Sequence, residues 1–186
     1  MSDEITQKYG LNPVEIRMND LGGDFAIGTS GGPGAVNLNT QFFTPERVAK
    51  YGKEWDGMTV GASRDDPQKT AESIIAHEIG HSAVGQILGQ GPVGTKRSKA
   101  VKEWMARWQH IQDVIQKHYD AQHTEGGSAI SAYGQEDTSE FAAEAFAALR
   151  LGPTTHGWPE NEAKAMANAK SLWDELFAIG IWKPKA

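Results

Sequence analysis

Two histidines four residues apart, with a glutamate after the first, carry the most chemistry in this sequence: His77-Glu78-Ile79-Gly80-His81. On an α-helix, residues i and i+4 share one face, so both imidazoles can reach a single metal ion. Neutral imidazole nitrogen suits zinc, and a catalytic zinc has few protein ligands and keeps one position open. Glu78 is turned about 100° from His77 by the 3.6-residue helical period. It is badly placed to share the metal but well placed to reach a water bound to it. Zinc lowers the pKa of such a water toward ~7, and a carboxylate can then take its proton. A solvated helix can carry the same pattern by accident, so context decides. Here the flanks are apolar: Ser73-Ile74-Ile75-Ala76 before and Ser82-Ala83-Val84-Gly85 after. A buried imidazole pair needs a reason, and a zinc ion supplies one.

The third ligand must come from elsewhere. A metzincin would carry glycine at position 84 and histidine at position 87, where this chain has Val84 and Ile87. The chain has no cysteine, so thiolate ligands and disulfides are excluded and the metal must sit on His, Asp or Glu. His110, His118, His123 and His156 are each isolated and read as ordinary surface or core residues. The run from Glu140 to Leu149 (EFAAEAFAAL) is more informative. A helix apolar on all sides is buried, yet Glu140 and Glu144 lie one turn apart on its stripe. Two carboxylates there repel and are costly to desolvate unless a positive group compensates. Zinc and its histidines would do so. Glu140 is assigned as third ligand, with Glu144 orienting a ligand histidine through its other ring nitrogen. Two alternatives stay open: Glu140 as part of a capping box begun by Asp137, and the reverse assignment with Glu144 on the metal.

These motifs resemble a gluzincin family, the catalytic domain of anthrax lethal factor and its relatives. Members carry HExxH on one helix, then a Tyr-Gly, then a helix reading Glu-Phe-Phe-Ala-Glu-Ala-Phe. The counterparts here are His77 to His81, Ser131-Ala132-Tyr133-Gly134, and Glu140-Phe141-Ala142-Ala143-Glu144-Ala145-Phe146. The one change in that helix is Ala142 where the family often has phenylalanine. The resemblance spans about Ala71 to Leu151. It implies a zincin-like fold, Glu140 as ligand, Glu78 as base, and Tyr133 facing the oxyanion. From position alone Tyr133 reads as a core or loop aromatic. Relatives include toxins and small phage or mobile-element proteins, so the family implies a chemistry and not a target.

The elements that must hold these residues follow from punctuation and periodicity. Residues 1–23 read as an extended polar lead-in with an apolar cluster at Val14-Glu15-Ile16. Asp24 to Thr29 and Ala35 to Asn39 alternate around Ser30-Gly31-Gly32-Pro33-Gly34, predicting a hairpin. Thr44-Pro45-Glu46 opens a short helix to about Lys50, and Met58 to Ala62 predicts a strand that could serve as a substrate-binding edge. Asp65-Asp66-Pro67 opens the two-histidine helix, which Gly89, Gly91 and Pro92 stop near Leu88. Further helices are predicted over about Arg97 to Tyr119, Thr138 to Leu151 and Glu160 to Phe177. The fold class is therefore α+β: a small N-terminal sheet or hairpin, then a helical body, as one domain over residues 1–186.

Composition narrows the function. Hydrophobic residues form 39% of the 186, enough for a core, and the net charge of −6 disfavours nucleic acid as a partner. The acidic start Met1-Ser2-Asp3-Glu4 does not read as a secretory signal, and no apolar run has the length of a membrane span. Expected locations are cytoplasmic, virion-associated or exported without a signal. The expected function is a zinc endopeptidase acting on protein or peptide substrates through a metal-activated water. The alternative is a zinc-binding structural or effector-associated module, such as a virion component or toxin part, that cuts little or nothing.

Overall fold

Four helices begin with a side chain that accepts from an otherwise unpaired N–H group of the first turn. Thr44 accepts from Arg47 N and opens α1 (Pro45–Trp55). Asp66 accepts from Lys69 N and opens α2 (Pro67–Leu88). Ser98 accepts from Val101 N and opens α3 (Lys99–Gln122). Asp137 accepts from Ser139 N and Glu140 N and opens α4 (Thr138–Leu151). Gly89 and Gly152, at φ 71° and 76°, end α2 and α4 in a conformation that favours glycine. A fifth helix, α5, spans Glu162–Ile179. These elements come from a computed structural model that describes residues 10–22, 28–30, 34–92, 95, 98–124, 127–152 and 162–181.

Three short strands complete an α+β chain that is mostly helical. They are β1 (Glu15–Asn19), β2 (Gly28–Ser30) and β3 (Ala35–Asn39), in the order β1-β3-β2. β2 and β3 pair antiparallel, with Gly28 opposite Leu38, as a hairpin requires. Residues 24–27 of the expected first hairpin strand, and 31–33 of its loop, lie outside the described residues.

The structure departs from the sequence expectations at three places. Residues 15–19 are not lead-in but strand β1, parallel to β3 with Ile16 opposite Val36. Val14, Ile16 and Met18 do alternate with Glu15, Arg17 and Asn19, the period of a strand, but the run is short, follows a polar stretch and stays mostly exposed. Its partner also lies some twenty residues on, beyond β2. Met58 to Ala62, in turn, is a turn-and-bend segment. Its backbone bonds serve other elements: Val60 N donates to Glu144 Oε2 (2.7 Å), Val60 O accepts from the Ser73 hydroxyl, and Met58 O accepts from Tyr133 N (3.0 Å). Helix α1 also runs past Lys50 to Trp55. Gly52, a break signal by type, sits inside it because Ser63 O would lie 2.4 Å from a Cβ there.

Helix α2 runs between the sheet and α4, and α5 packs on α4 and α3. Val36 and Leu38 of β3, Ile74, Ile79 and Ile87 of α2, and Phe141 and Phe146 of α4 belong to one buried cluster. Every residue from Phe141 to Ala148 is buried. Trp173 of α5 closes the far side, edge-on to Phe146 (4.9 Å) with its Nε1 donating to Ala142 O (3.2 Å). Truncating such a buried aromatic costs ~3–5 kcal/mol. The α2–α4 crossing is close because residue 80 is glycine: a Cβ there would lie 2.8 Å from Ala143 Cα and 3.0 Å from Phe146 Cβ. That closeness brings the carboxylates of α4 within reach of the histidines of α2. Among the described residues, no helix is long and apolar enough to cross a membrane.

Candidate metal centre

One turn of α2 and the first turns of α4 bring three ligand atoms together. His77 Nε2 lies 3.1 Å from His81 Nε2, and Glu140 Oε2 lies 3.0 Å from the first and 3.6 Å from the second. His77, His81 and Glu140 thus form a group able to hold a metal ion. Glu140 Oε2 is buried and accepts no hydrogen bond of acceptable angle, despite the nearby imidazoles. An orphaned carboxylate oxygen is costly. With the two imidazole Nε2 atoms in contact beside it, the three atoms lie close enough together to share a cation. The set of two imidazoles and one carboxylate matches the hard-to-borderline ligands of a divalent metal.

The histidines are oriented from behind, unequally. His77 Nδ1 faces Glu144 Oε1 at 2.8 Å, and the other oxygen of Glu144 accepts from Val60 N. Glu144 is only 1% exposed, and these two contacts occupy both of its oxygens. An acceptor behind Nδ1 fixes the proton there and turns the Nε2 lone pair to the front. His81 Nδ1 faces only the hydroxyl of Ser139, at 3.3 Å, on an exposed residue. Asp137 caps α4 through the backbone N–H groups of Ser139 and Glu140, while the Glu140 carboxylate turns to His77. Cap and candidate ligand therefore coexist: Asp137 takes the backbone and leaves the Glu140 side chain for the site.

Charge at the site is tightly coupled. Burial alone would push the His77 imidazole down, but Glu140 in front and Glu144 behind hold it up, to about 10. Burial would raise Glu140, yet His77 and His81 hold its carboxyl well below the usual range. A proton on Nε2 and a metal ion compete for one lone pair, so a metal ion bound here would displace a proton. Glu78 is buried beside them. Its carboxyl is raised, chiefly by burial and further by Glu140, against the opposing pull of His77 and His81.

These groups line a cleft of about 630 Å³. Tyr133, from a short 3-10 turn (Tyr133–Gln135) before α4, reaches it with its ring 5.6 Å from that of His77. Burial, then the carboxylates Glu140 and Glu136, push its phenol up and keep it protonated. Gly134 follows because a Cβ there would crowd Glu144 Cβ at 3.3 Å and Ser131 Oγ at 3.0 Å. Trp55 packs edge-on to Tyr133 (5.3 Å) and stacks on Tyr51 (5.3 Å), so α1 adds an aromatic wall.

All six residues singled out from sequence therefore line one cleft. Four contributors were missed. Ser139 and Val60 act through a hydroxyl and a backbone N–H that no residue pattern marks. Gly28 of β2 faces Glu78, where a Cβ would lie 2.8 Å from Glu78 Cγ. Trp55 lies beyond the predicted end of its helix. Of the other histidines, His118 bonds Asn168 and Glu175, and His123 bonds Tyr119 O; His156 lies outside the described residues. Compared with protein-family models, with curated proteins and with solved structures, the chain finds no match.

Proposed function

We propose that this protein is a zinc-dependent endopeptidase of gluzincin type, resembling the lethal factor-like peptidases in its motifs. The observation that supports it most is the convergence of His77 Nε2, His81 Nε2 and Glu140 Oε2 on one point of a cleft that Glu78 and Tyr133 also line. Zinc held by these three residues would supply Lewis-acid polarisation of a scissile carbonyl and a water of lowered pKa. The remaining work belongs to side chains. Glu78 takes a proton from the attacking water and passes it to the leaving amine; a buried carboxyl with a raised pKa suits both steps. Tyr133 stays un-ionised and donates a hydrogen bond to the oxygen on which charge develops. Glu144 holds the His77 proton at Nδ1.

An extended peptide would run beside β2, the sheet edge that borders Glu78, instead of the Met58–Ala62 edge expected from sequence. The other reading, a structural or effector-associated zinc module, calls for a closed site, usually with four protein ligands. Here three ligands face an open cleft beside a buried carboxylate, which favours catalysis. The two readings part on an assay of casein or a peptide library with the purified chain. Cleavage lost on chelation and regained with about one equivalent of zinc is expected. Zinc bound stoichiometrically without any cleavage would favour the module.

A further inference from the structure

The two edges of the sheet have different surroundings. β2 borders the cleft, while β1 lies at the opposite edge with no partner on its outer side among the described residues. In β1, Glu15 N donates to Gly34 O and Asn19 O accepts from Thr40 N, so the odd-numbered residues turn their backbone groups to β3. By the alternation of a strand, Ile16 and Met18 turn theirs outward. An outward row of unpaired N–H and C=O groups is a template for another strand.

The side chains repeat the message. Ile16 and Met18 sit opposite Val36 and Leu38 in register and share their face of the sheet. Val36 and Leu38 are 0% and 2% exposed, but Ile16 and Met18 are 45% and 51% exposed. The apolar layer beneath the sheet thus runs out past the helices that cover it. Glu15 and Arg17 occupy the other face, exposed, and pair with each other at 2.5 Å.

We infer that β1 is a self-association edge, pairing antiparallel with β1 of a second copy about a two-fold axis at Ile16. Charge selects this register. With Ile16 opposite Ile16 of the second copy, Glu15 faces Arg17 and Arg17 faces Glu15, while Val14 and Met18 meet on the apolar face. A shift of the axis by one residue would set Arg17 against Arg17, or Glu15 against Glu15, and like charges directly opposite are destabilising. The outward backbone groups of Ile16 then form the hydrogen-bonded pair, and the charged residues fall in the closer, non-hydrogen-bonded pairs. The result is a continuous six-stranded sheet with both clefts at its far ends, so association leaves the candidate metal centre open. Five residues a side bury less than a standard interface, so the dimer is a weak, reversible one.

The test uses the full chain by sedimentation velocity across micromolar to near-millimolar concentration. Arg17→Glu alone and Glu15→Arg alone should each weaken the dimer at least about tenfold. The double variant Glu15→Arg/Arg17→Glu recreates the complementary pairs and should return it to within a few-fold of wild type. Because the chain contains no cysteine, a single Ile16→Cys substitution gives a geometric check. Its two copies fall about 5.5 Å apart at Cα, within disulfide reach, and should cross-link under mild oxidation. Copies of Met18→Cys would sit roughly 13 Å apart and should not. A chain that stays monomeric throughout, a dimer indifferent to the single reversals, a double variant that does not recover, or equal cross-linking by Met18→Cys would each overturn the proposal.

Discussion

The wall of the cleft formed by α2 and α4 carries all three candidate ligands on two regular helices. The opposite wall is put together from β2, α1 and the 3-10 turn at Tyr133, segments far apart in sequence. On the first wall, periodicity and one close crossing at Gly80 set the geometry. On the second, each contributor is set by contacts between elements: Gly28 against Glu78, Trp55 against Tyr133, Tyr133 N bonded to Met58 O. The candidate ligands thus rest on one wall alone, whereas the proposed turnover draws on both: Glu78 from α2 and Tyr133 from the wall opposite. Damage to the two walls should therefore be separable.

The largest effect belongs to the helical wall. Glu140→Ala removes one of three candidate ligands and should abolish stoichiometric metal binding, read by metal analysis after dialysis, and all cleavage with it. Tyr133→Phe, on the other wall, should keep metal and hold KM within a few-fold while kcat falls by about 10²–10³, as on removing an oxyanion donor. A Phe variant that loses metal instead would erase the distinction between the walls. Behind the histidines, Glu144→Ala should weaken metal binding by about 10–100-fold. Gly28→Ala places a methyl group against Glu78 and should lower kcat by roughly tenfold with metal retained, since a misplaced base loses part of the 10²–10⁴ that general-base catalysis supplies. The smallest change is expected from Ser139→Ala. Its hydroxyl is exposed and 3.3 Å from His81 Nδ1, so metal affinity should fall only a few-fold. A competitive chelator titration ranks the two partners, and a Ser139→Ala loss larger than that of Glu144→Ala would reverse the account of how the histidines are held.

The same division governs what could be read in advance. The two-histidine helix, its N-cap at Asp66 and its stop at Gly89 follow local rules, and so do the bounds of α4. Glu140 and Glu144 stood out because charge on a buried stripe demands compensation. Strand β1 did not: its apolar residues Val14, Ile16 and Met18 alternate with polar ones, but the run is short and its parallel partner β3 lies some twenty residues on, beyond β2. Met58 to Ala62 misled because Val60 and Ala62 are buried, and the Val60 backbone bonds to α2 and α4 rather than to a neighbouring strand. The contributions of Gly28, Val60 and Ser139 depend on a missing Cβ, a backbone N–H and a hydroxyl, none of which leaves a pattern along the chain.

The central claim is that Glu78 works on a metal-bound water to break peptide bonds. The direct measurement is the mass-spectrometric identification of new protein termini after incubating a proteome with zinc-loaded wild type or zinc-loaded Glu78→Gln. The account predicts that both proteins hold about one zinc and that new termini accumulate only with wild type, at a rate at least about 10²-fold higher. Equal termini from both, or none from a fully zinc-loaded wild type, would contradict it.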